Sequence, residues 1–135
     1  MIREVYRPKT LQEALDLLAQ PGLAPMGGGT VLNRPSSEAL SVVDLQDLGL
    51  DTVEVKGHVL SLGATLTLAQ LLELPDVPEA LKHVIRLEAT YNLRHAATLA
   101  GAALSADGRS PLATALLALD AVLEVMRLGA AVEQA

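Results

Sequence analysis

Cysteine, phenylalanine and tryptophan are all absent from this 135-residue chain, and each absence excludes a class of site. Without cysteine the chain cannot form a disulfide, a thiolate ligand for zinc or an iron–sulfur cluster, or a cysteine nucleophile. Its only aromatic residues are Tyr6 and Tyr91, so it lacks the stacking platform on which single-stranded nucleic acids bind. We therefore expect no nucleic-acid partner. The lack of cysteine also suits a cytoplasmic protein.

Positive charge and long hydrophobic runs are scarce as well. Ten Lys and Arg stand against 16 Asp and Glu, and the formal net charge of -6 disfavours both nucleic acid and anionic membranes. The apolar runs, such as residues 112–119, are far shorter than the ~20 residues of a membrane-spanning helix. Three dispersed histidines do not form a metal site, and no paired carboxylates are placed for acid–base catalysis. We expect no membrane partner, no metal and no catalytic residue.

Half of the chain is hydrophobic, which supplies a core for one domain or for two small lobes. Thr10 and Glu13 have the spacing of a capping box, which predicts a helix that ends at the Pro-Gly pair 21–22. Ser110 and Pro111 predict the start of a late helix with residues 112, 115, 116 and 119 on its buried side. Between these two helices the pattern predicts strands at 23–26 and 41–45, a hairpin at 52–62, and helices at 67–73 and after residue 78. After the late helix it predicts strands at 121–126 and within 130–135.

The most informative stretch is a run of three glycines followed by a threonine at residues 27–30. Glycines allow positive φ and let a ligand approach the backbone closely, and consecutive N–H groups in a turn form a nest for anions. The Thr30 hydroxyl adds a donor for a phosphate oxygen. A second Gly/Thr segment, RHAATLAG, lies at 94–101. Two such segments between regular elements predict a phosphorylated ligand held between two loops, although each alone also fits a ligand-free turn.

The order of these segments resembles the FAD-binding subunit or domain of the molybdenum hydroxylases, the family of carbon monoxide dehydrogenase and xanthine dehydrogenase. The resemblance rests on motifs whose order and spacing match the family pattern. They are YRP at 6–8, GGTVL at 28–32, VDL at 43–45, LGA at 62–64, RHAATLAGA at 94–102 and LLALDA at 116–121.

The resemblance implies an α+β, two-lobed FAD-binding fold, shortened at its C-terminus, that forms one domain. A small βαβ-type lobe would occupy residues 1–50, and a second, incomplete lobe with a mainly antiparallel sheet would occupy residues 51–135. The cofactor would be FAD, held in a cleft between the lobes. The cofactor-binding candidates come from the two loops. They are Gly27, Gly28, Gly29, Thr30, Val31, Arg94, Thr98, Leu99, Ala100, Gly101 and Ala102.

Two functions remain open at this point. The resemblance implies an electron-transfer component that works with molybdenum and iron–sulfur subunits, and whether the chain is itself an enzyme stays undecided. Four positions depart from the family pattern in the loops or before the late helix, namely Val31, Ala100, Ala102 and Pro111. These departures favour the alternative, a shortened flavin-free homologue that acts as an interaction or scaffold module. Because the sheet is expected to be unfinished, we also predict a homo-oligomer through residues 121–135.

Overall fold

The computed structural model describes residues 1–32 and 38–129, together with the backbone of residues 133 and 134. In these residues the chain forms short strands and helices, with one 3-10 helix at Gln46–Leu48. The strands are β1 (Ile2–Tyr6), β2 (Leu23–Met26), β3 (Leu40–Asp44), β4 (Val53–Lys56), β5 (Val59–Leu62), β6 (Glu124–Val125) and β7 (Glu133–Gln134). The helices are α1 (Leu11–Leu18), α2 (Leu68–Glu73), α3 (Glu79–Glu88), α4 (Tyr91–Ala96), α5 (Leu99–Leu104) and α6 (Pro111–Ala118).

The N-terminal lobe is a three-stranded parallel sheet in the order β1-β3-β2, with α1 between β1 and β2 in the chain. The central strand β3 carries the fully buried Val42 and Val43, as a strand with neighbours on both sides requires. The predicted strand at 23–26 is confirmed, and the one predicted at 41–45 begins one residue earlier. Strand β1 was not predicted, because four of its five residues are exposed and its pairing with β3 spans almost forty residues.

The predicted cap of α1 is confirmed with one change of partner. The Thr10 hydroxyl accepts the N–H of Glu13 at 3.2 Å, as in a capping box. The Glu13 carboxylate, however, accepts the N–H of Lys9 at 2.9 Å instead of that of Thr10. The helix therefore begins where the sequence predicts, and Gly22 (φ 83°) turns the chain after it.

The second lobe is built mainly from helices around one apolar core. Its buried members come from the segment before α2 and from α2, the α2–α3 connection, α3 and α6. They are Leu66, Leu68, Leu71, Val77, Leu81, Ile85 and Leu112. Of the inward positions predicted for the late helix, Leu112 is buried and Ala115 and Leu116 pack partly buried against the core, whereas Leu119 is 54% exposed because α6 ends before it.

The antiparallel part of this lobe is smaller than expected. The hairpin of β4 and β5 is confirmed, with Gly57 at φ 61° in its turn. In the described residues the strand predicted at 121–126 is reduced to Glu124–Val125, which pairs with Glu133–Gln134 as a separate two-stranded ladder. The lobe thus holds two small ladders and not one continuous sheet. The turn-rich residues 33–37, and residues 130–132 and 135 of the predicted return strand, lie outside the described part.

A buried carboxylate closes the end of the parallel sheet. Asp44, the last residue of β3, is 4% exposed and accepts from Arg7 Nε at 2.9 Å and from the N–H of Gln46 at 3.0 Å. The hydrogen bond to Asp44 and its charge raise the pKa of the Arg7 guanidinium above its ordinary value. The ion pair therefore ties the end of β1 to the end of β3, because it compensates a charge removed from water.

We expect Asp44→Asn to lower the free energy of unfolding by about 1–2 kcal/mol, because the charged hydrogen bond to Arg7 is lost while the side-chain volume is kept. Urea unfolding monitored by circular dichroism measures this change. Asp47→Asn is the matched control, because Asp47 pairs with Lys9 at an exposed position where ion pairs contribute little. Equal effects of the two substitutions would contradict this role of Asp44.

Candidate functional site

The first glycine loop leaves the carboxyl end of strand β2 in the parallel sheet. Gly29 has φ 70°, a left-handed conformation that favours glycine. Within the described residues, the backbone N–H groups of Gly27, Gly28, Gly29 and Thr30 and the Thr30 hydroxyl have no hydrogen-bond partner. Consecutive N–H groups beside a left-handed residue are the arrangement that attracts anions. The predicted anion-binding capacity of this loop therefore fits the observed backbone.

The two predicted segments meet in space. A Cβ atom at Gly28 would overlap the carbonyl oxygen of Ala96, and one at Gly27 would lie 2.7 Å from the Thr98 hydroxyl oxygen. Real side-chain atoms do not approach backbone and buried hydroxyl atoms so closely. Two of the three glycines are thus required because the loop packs against the end of α4 and the start of α5, whatever ligand is present.

The second segment is not an open loop, which corrects the prediction for it. Arg94 lies in α4, and Leu99, Ala100, Gly101 and Ala102 lie in α5, so that only two residues separate the helices. Thr98, 6% exposed, is the N-cap of α5 and accepts the N–H of Gly101 at 3.2 Å. The physical reason is composition: the segment is rich in alanine, the residue type with the highest helix propensity.

The backbone N–H groups at the start of α5 are already used by the protein. The N–H of Leu99 donates to the carbonyl of Leu66 at 2.7 Å, and that of Ala100 donates to Ala64 at 3.1 Å. Together with Gly101, these are the groups that a phosphate would need at this helix end. In this conformation the second segment therefore supports the first loop and offers an anion none of these three N–H groups.

A cavity of about 530 Å³ lies beside the first loop. Of the predicted site residues, Thr30, Val31 and Ala102 line it, whereas Gly27 to Gly29, Arg94, Thr98, Leu99, Ala100 and Gly101 do not. The Arg94 guanidinium instead lies 6.0 Å from the ring centroid of Tyr91, within the range of a cation–π contact. The remaining wall comes from Leu68 of α2, from Leu93 and Ala97, from the end of α3, and from residues 105–107 and 109–111 before and at the start of α6; the sequence did not predict this wall.

A carboxylate in this wall caps helix α6. Glu88, the last residue of α3, accepts the Ser110 hydroxyl, which lies 2.9 and 3.0 Å from its two oxygens. It also accepts the N–H of Leu112 at 2.8 Å, while Ser110 Oγ accepts the N–H of Ala113 at 3.1 Å. The predicted N-cap role of Ser110 is confirmed. The role of Glu88 left no local signal, because Ser110 stands 22 residues away in the chain.

The other charges of the wall belong to one exposed ion pair. Arg109 donates to Asp107 at 3.0 Å from its guanidinium and at 2.9 Å from its backbone N–H. The hydrogen bond from the Arg109 side chain, followed by that from its backbone, lowers the pKa of Asp107. Among the described residues no group of three His, Asp or Glu side chains is placed to hold a metal ion. No helix in this part of the chain is long and apolar enough to span a membrane.

Known proteins are similar to this chain in sequence and in fold. A family model described as the FAD binding domain in molybdopterin dehydrogenase matches residues 1–134. The uncharacterized protein YgfM of Escherichia coli K12 is 31% identical over 127 residues, which cover 91% of this chain and 49% of YgfM. The chain thus spans about half the length of the curated relatives it matches.

Solved structures match over similar lengths. A crystal structure of a Cu,Mo-CO dehydrogenase superposes with a TM-score of 0.88 at 21% identity, over all of this chain and 50% of the other. Quinoline 2-oxidoreductase from Pseudomonas putida 86 gives a TM-score of 0.83 at 24% identity, over 98% of this chain and 49% of that one. CO dehydrogenase from Oligotropha carboxidovorans gives 0.84 at 23% identity. These likenesses confirm the predicted α+β fold, shortened relative to those chains.

We expect Gly28→Ala to lower the free energy of unfolding by about 1–3 kcal/mol, because the loop must move away from Ala96 to make room for the methyl group. Gly108→Ala is the matched control, because a Cβ there meets no atom within 4 Å and φ is not positive. Chemical unfolding of both variants measures the difference. If Gly28→Ala were as stable as Gly108→Ala, the close packing of the two segments would be contradicted.

Proposed function

The chain belongs to the family of FAD-binding domains in molybdopterin dehydrogenases, and we propose that it is the FAD-binding electron-transfer component of a molybdenum hydroxylase-type oxidoreductase. The proposal gives the chain no catalytic residue of its own. In this proposal the chain acts only with a molybdenum subunit and an iron–sulfur subunit. The absence of cysteine fits a chain that carries no iron–sulfur cluster itself. A cytoplasmic location stays a prediction.

One observation carries the proposal: Thr30 lines a cavity of about 530 Å³ and ends a run of four residues, 27–30, whose N–H groups have no partner among the described residues. Four consecutive donors and the Thr30 hydroxyl suit a pyrophosphate, whose charge the net -6 of the chain would otherwise repel. The cavity lies within the size range of cofactor sites. The residues present therefore fit a dinucleotide whose phosphates contact the first loop.

The second segment takes a supporting place in this proposal. Thr98 caps α5, and α5 together with Ala96 keeps Gly27 and Gly28 in place. Contacts of Arg94, Leu99, Ala100 and Gly101 with the cofactor stay predictions. When bound, the flavin supplies the redox chemistry, and the chain supplies binding and orientation.

The alternative function is that of a flavin-free interaction module, and a specific observation favours it. The N–H groups of Leu99, Ala100 and Gly101 are occupied by the protein, so the second segment contributes no such donor to a phosphate. Val31, which is 40% exposed at the cavity, has no polar group to offer. Titration with FAD separates the two functions.

We expect the purified protein to retain a flavin absorption spectrum after incubation with excess FAD and desalting. Thr30→Val should weaken FAD binding about tenfold, because it removes one hydroxyl donor to a charged acceptor without changing the side-chain volume. Thr52→Val is the control, because Thr52 is exposed and precedes the hairpin of the second lobe. Flavin fluorescence quenching measures the three affinities.

A wild-type protein that retains no FAD would contradict the leading function and support the flavin-free module. Equal FAD affinities of Thr30→Val and Thr52→Val would show that binding occurs away from the first loop, which would contradict the proposed phosphate site.

The partner surface proposed for residues 121–135 is described as far as residue 129. Large apolar side chains stand exposed there, with Val122 59% exposed and Leu128 46% exposed. Exposed apolar residues grouped in one segment are typical of interaction sites. We propose that this segment pairs with another chain, either a second copy or a partner subunit.

In solution without partners, we expect a dimer by light scattering coupled to size-exclusion chromatography. The double substitution Val122→Ser and Leu123→Ser should give a monomer, because it removes apolar area from the contact. Leu104→Ser, at a position that is 75% exposed on α5, is the control and should leave the dimer intact. A monodisperse wild-type monomer would contradict self-association.

A further inference from the structure

We propose that Glu88 is a ligand-binding residue, which accepts a hydrogen bond from a neutral donor group of the molecule in the cavity. The donor is a hydroxyl or an imide N–H. This inference rests on the proposed function, because it assigns the second half of the same cavity. It gives the cavity two chemically different ends, one for an anion and one for a neutral donor.

The charges of the cavity wall support this assignment. Of the residues that line the cavity, Glu88, Asp107 and Arg109 carry charge. Asp107 and Arg109 neutralise each other in an exposed pair, whereas Glu88 forms no ion pair with any described residue. The wall therefore carries one uncompensated negative charge. Such a charge repels phosphate and attracts hydrogen-bond donors.

The carboxylate of Glu88 has acceptor capacity left. An ionised carboxylate offers about four lone-pair sites. Oε2 receives the N–H of Leu112 at 2.8 Å, while the single Ser110 hydroxyl proton is shared between Oε1 and Oε2. Oε1 can thus accept a further donor. The two existing contacts also hold the carboxylate in one orientation, which lowers the entropy that ligand binding must remove.

The helix end beside Glu88 is closed to anions, so phosphate has no competing place there. Pro111 has no N–H, and the next two N–H groups of α6 donate to Glu88 and to Ser110. In contrast, the N–H groups of the first loop, which ends at Thr30, have no partner among the described residues. A ligand that carries both phosphate and neutral donors is therefore oriented, with its phosphates at residues 27–30 and its hydroxyl or imide groups toward Glu88.

The test measures four probes against wild type and two variants. Glu88→Gln and Asp107→Asn each remove one negative charge from the same wall, but only the first changes the proposed acceptor. We expect Glu88→Gln to weaken riboflavin and FAD about tenfold, since the single amide oxygen of Gln stays on the N–H of Leu112 and its NH2 group cannot accept the donor of the ligand. Pyrophosphate should bind the Glu88→Gln variant at least as tightly as wild type, and Asp107→Asn, which keeps the acceptor, should bind the uncharged riboflavin like wild type. Lumiflavin, which lacks the ribityl hydroxyls, shows which donor is recognised: weakening of lumiflavin identifies the imide, and weakening of riboflavin alone identifies the hydroxyls.

Ser110→Ala separates recognition from helix capping. This variant loosens the cap of α6 but keeps the carboxylate, so a purely structural role of Glu88 predicts that it weakens riboflavin as much as Glu88→Gln does. We expect a smaller loss for Ser110→Ala, with the melting temperature of each variant recorded alongside. If the two variants lose riboflavin affinity equally, the role of Glu88 is overturned and the proposed function stands. The same holds if wild type binds FAD and Glu88→Gln binds riboflavin as tightly as wild type does. A wild type that binds neither FAD nor riboflavin would overturn the proposed function and this inference with it.

Discussion

The packing of the first glycine loop against the junction of α4 and α5 is the contact on which the site depends. Gly28 lies so close to the carbonyl of Ala96 that no side chain fits between them, and Gly27 lies against the buried Thr98. This contact joins the end of the parallel sheet to the helices of the second lobe, and the neighbouring residues Thr30 and Ala97 line the cavity. The same glycines would be needed if no ligand were ever bound.

Hydrogen bonds divide the two predicted segments into different roles. The start of α5 donates its N–H groups to the segment 64–66 and to Thr98, which anchors α5 to the core around Leu66 and Leu68. The first loop donates none to the described residues. The loop residues are half-buried, so their donors remain accessible to an external acceptor, and Thr30 presents such donors at the cavity. Among the described residues, the N–H donors available to an anion are thus found on the first loop and not on the second segment.

The cavity lies between this donor loop and a wall in which the N–H groups at the start of α6 are already hydrogen-bonded within the protein. Ser110 and Glu88 together fill the N-terminus of α6, a place where a phosphate would otherwise bind. The carboxylate that stabilises the helix also sets the electrostatics of the cavity. Family membership supports FAD as a possible ligand, while three of the four departures from the family pattern, Val31, Ala102 and Pro111, line the cavity.

The sequence by itself determined the local elements and the family, because caps, turns and periodicity depend on residues close together in the chain. Thr10, Gly57 and Ser110 behave as predicted for this reason. It did not determine that segment 94–102 is helical, since alanine-rich residues fit both a loop motif and a helix. Only the tertiary structure decided which N–H groups stay available, why Gly28 is needed, and that Glu88 meets Ser110, because each depends on atoms brought together from distant parts of the chain.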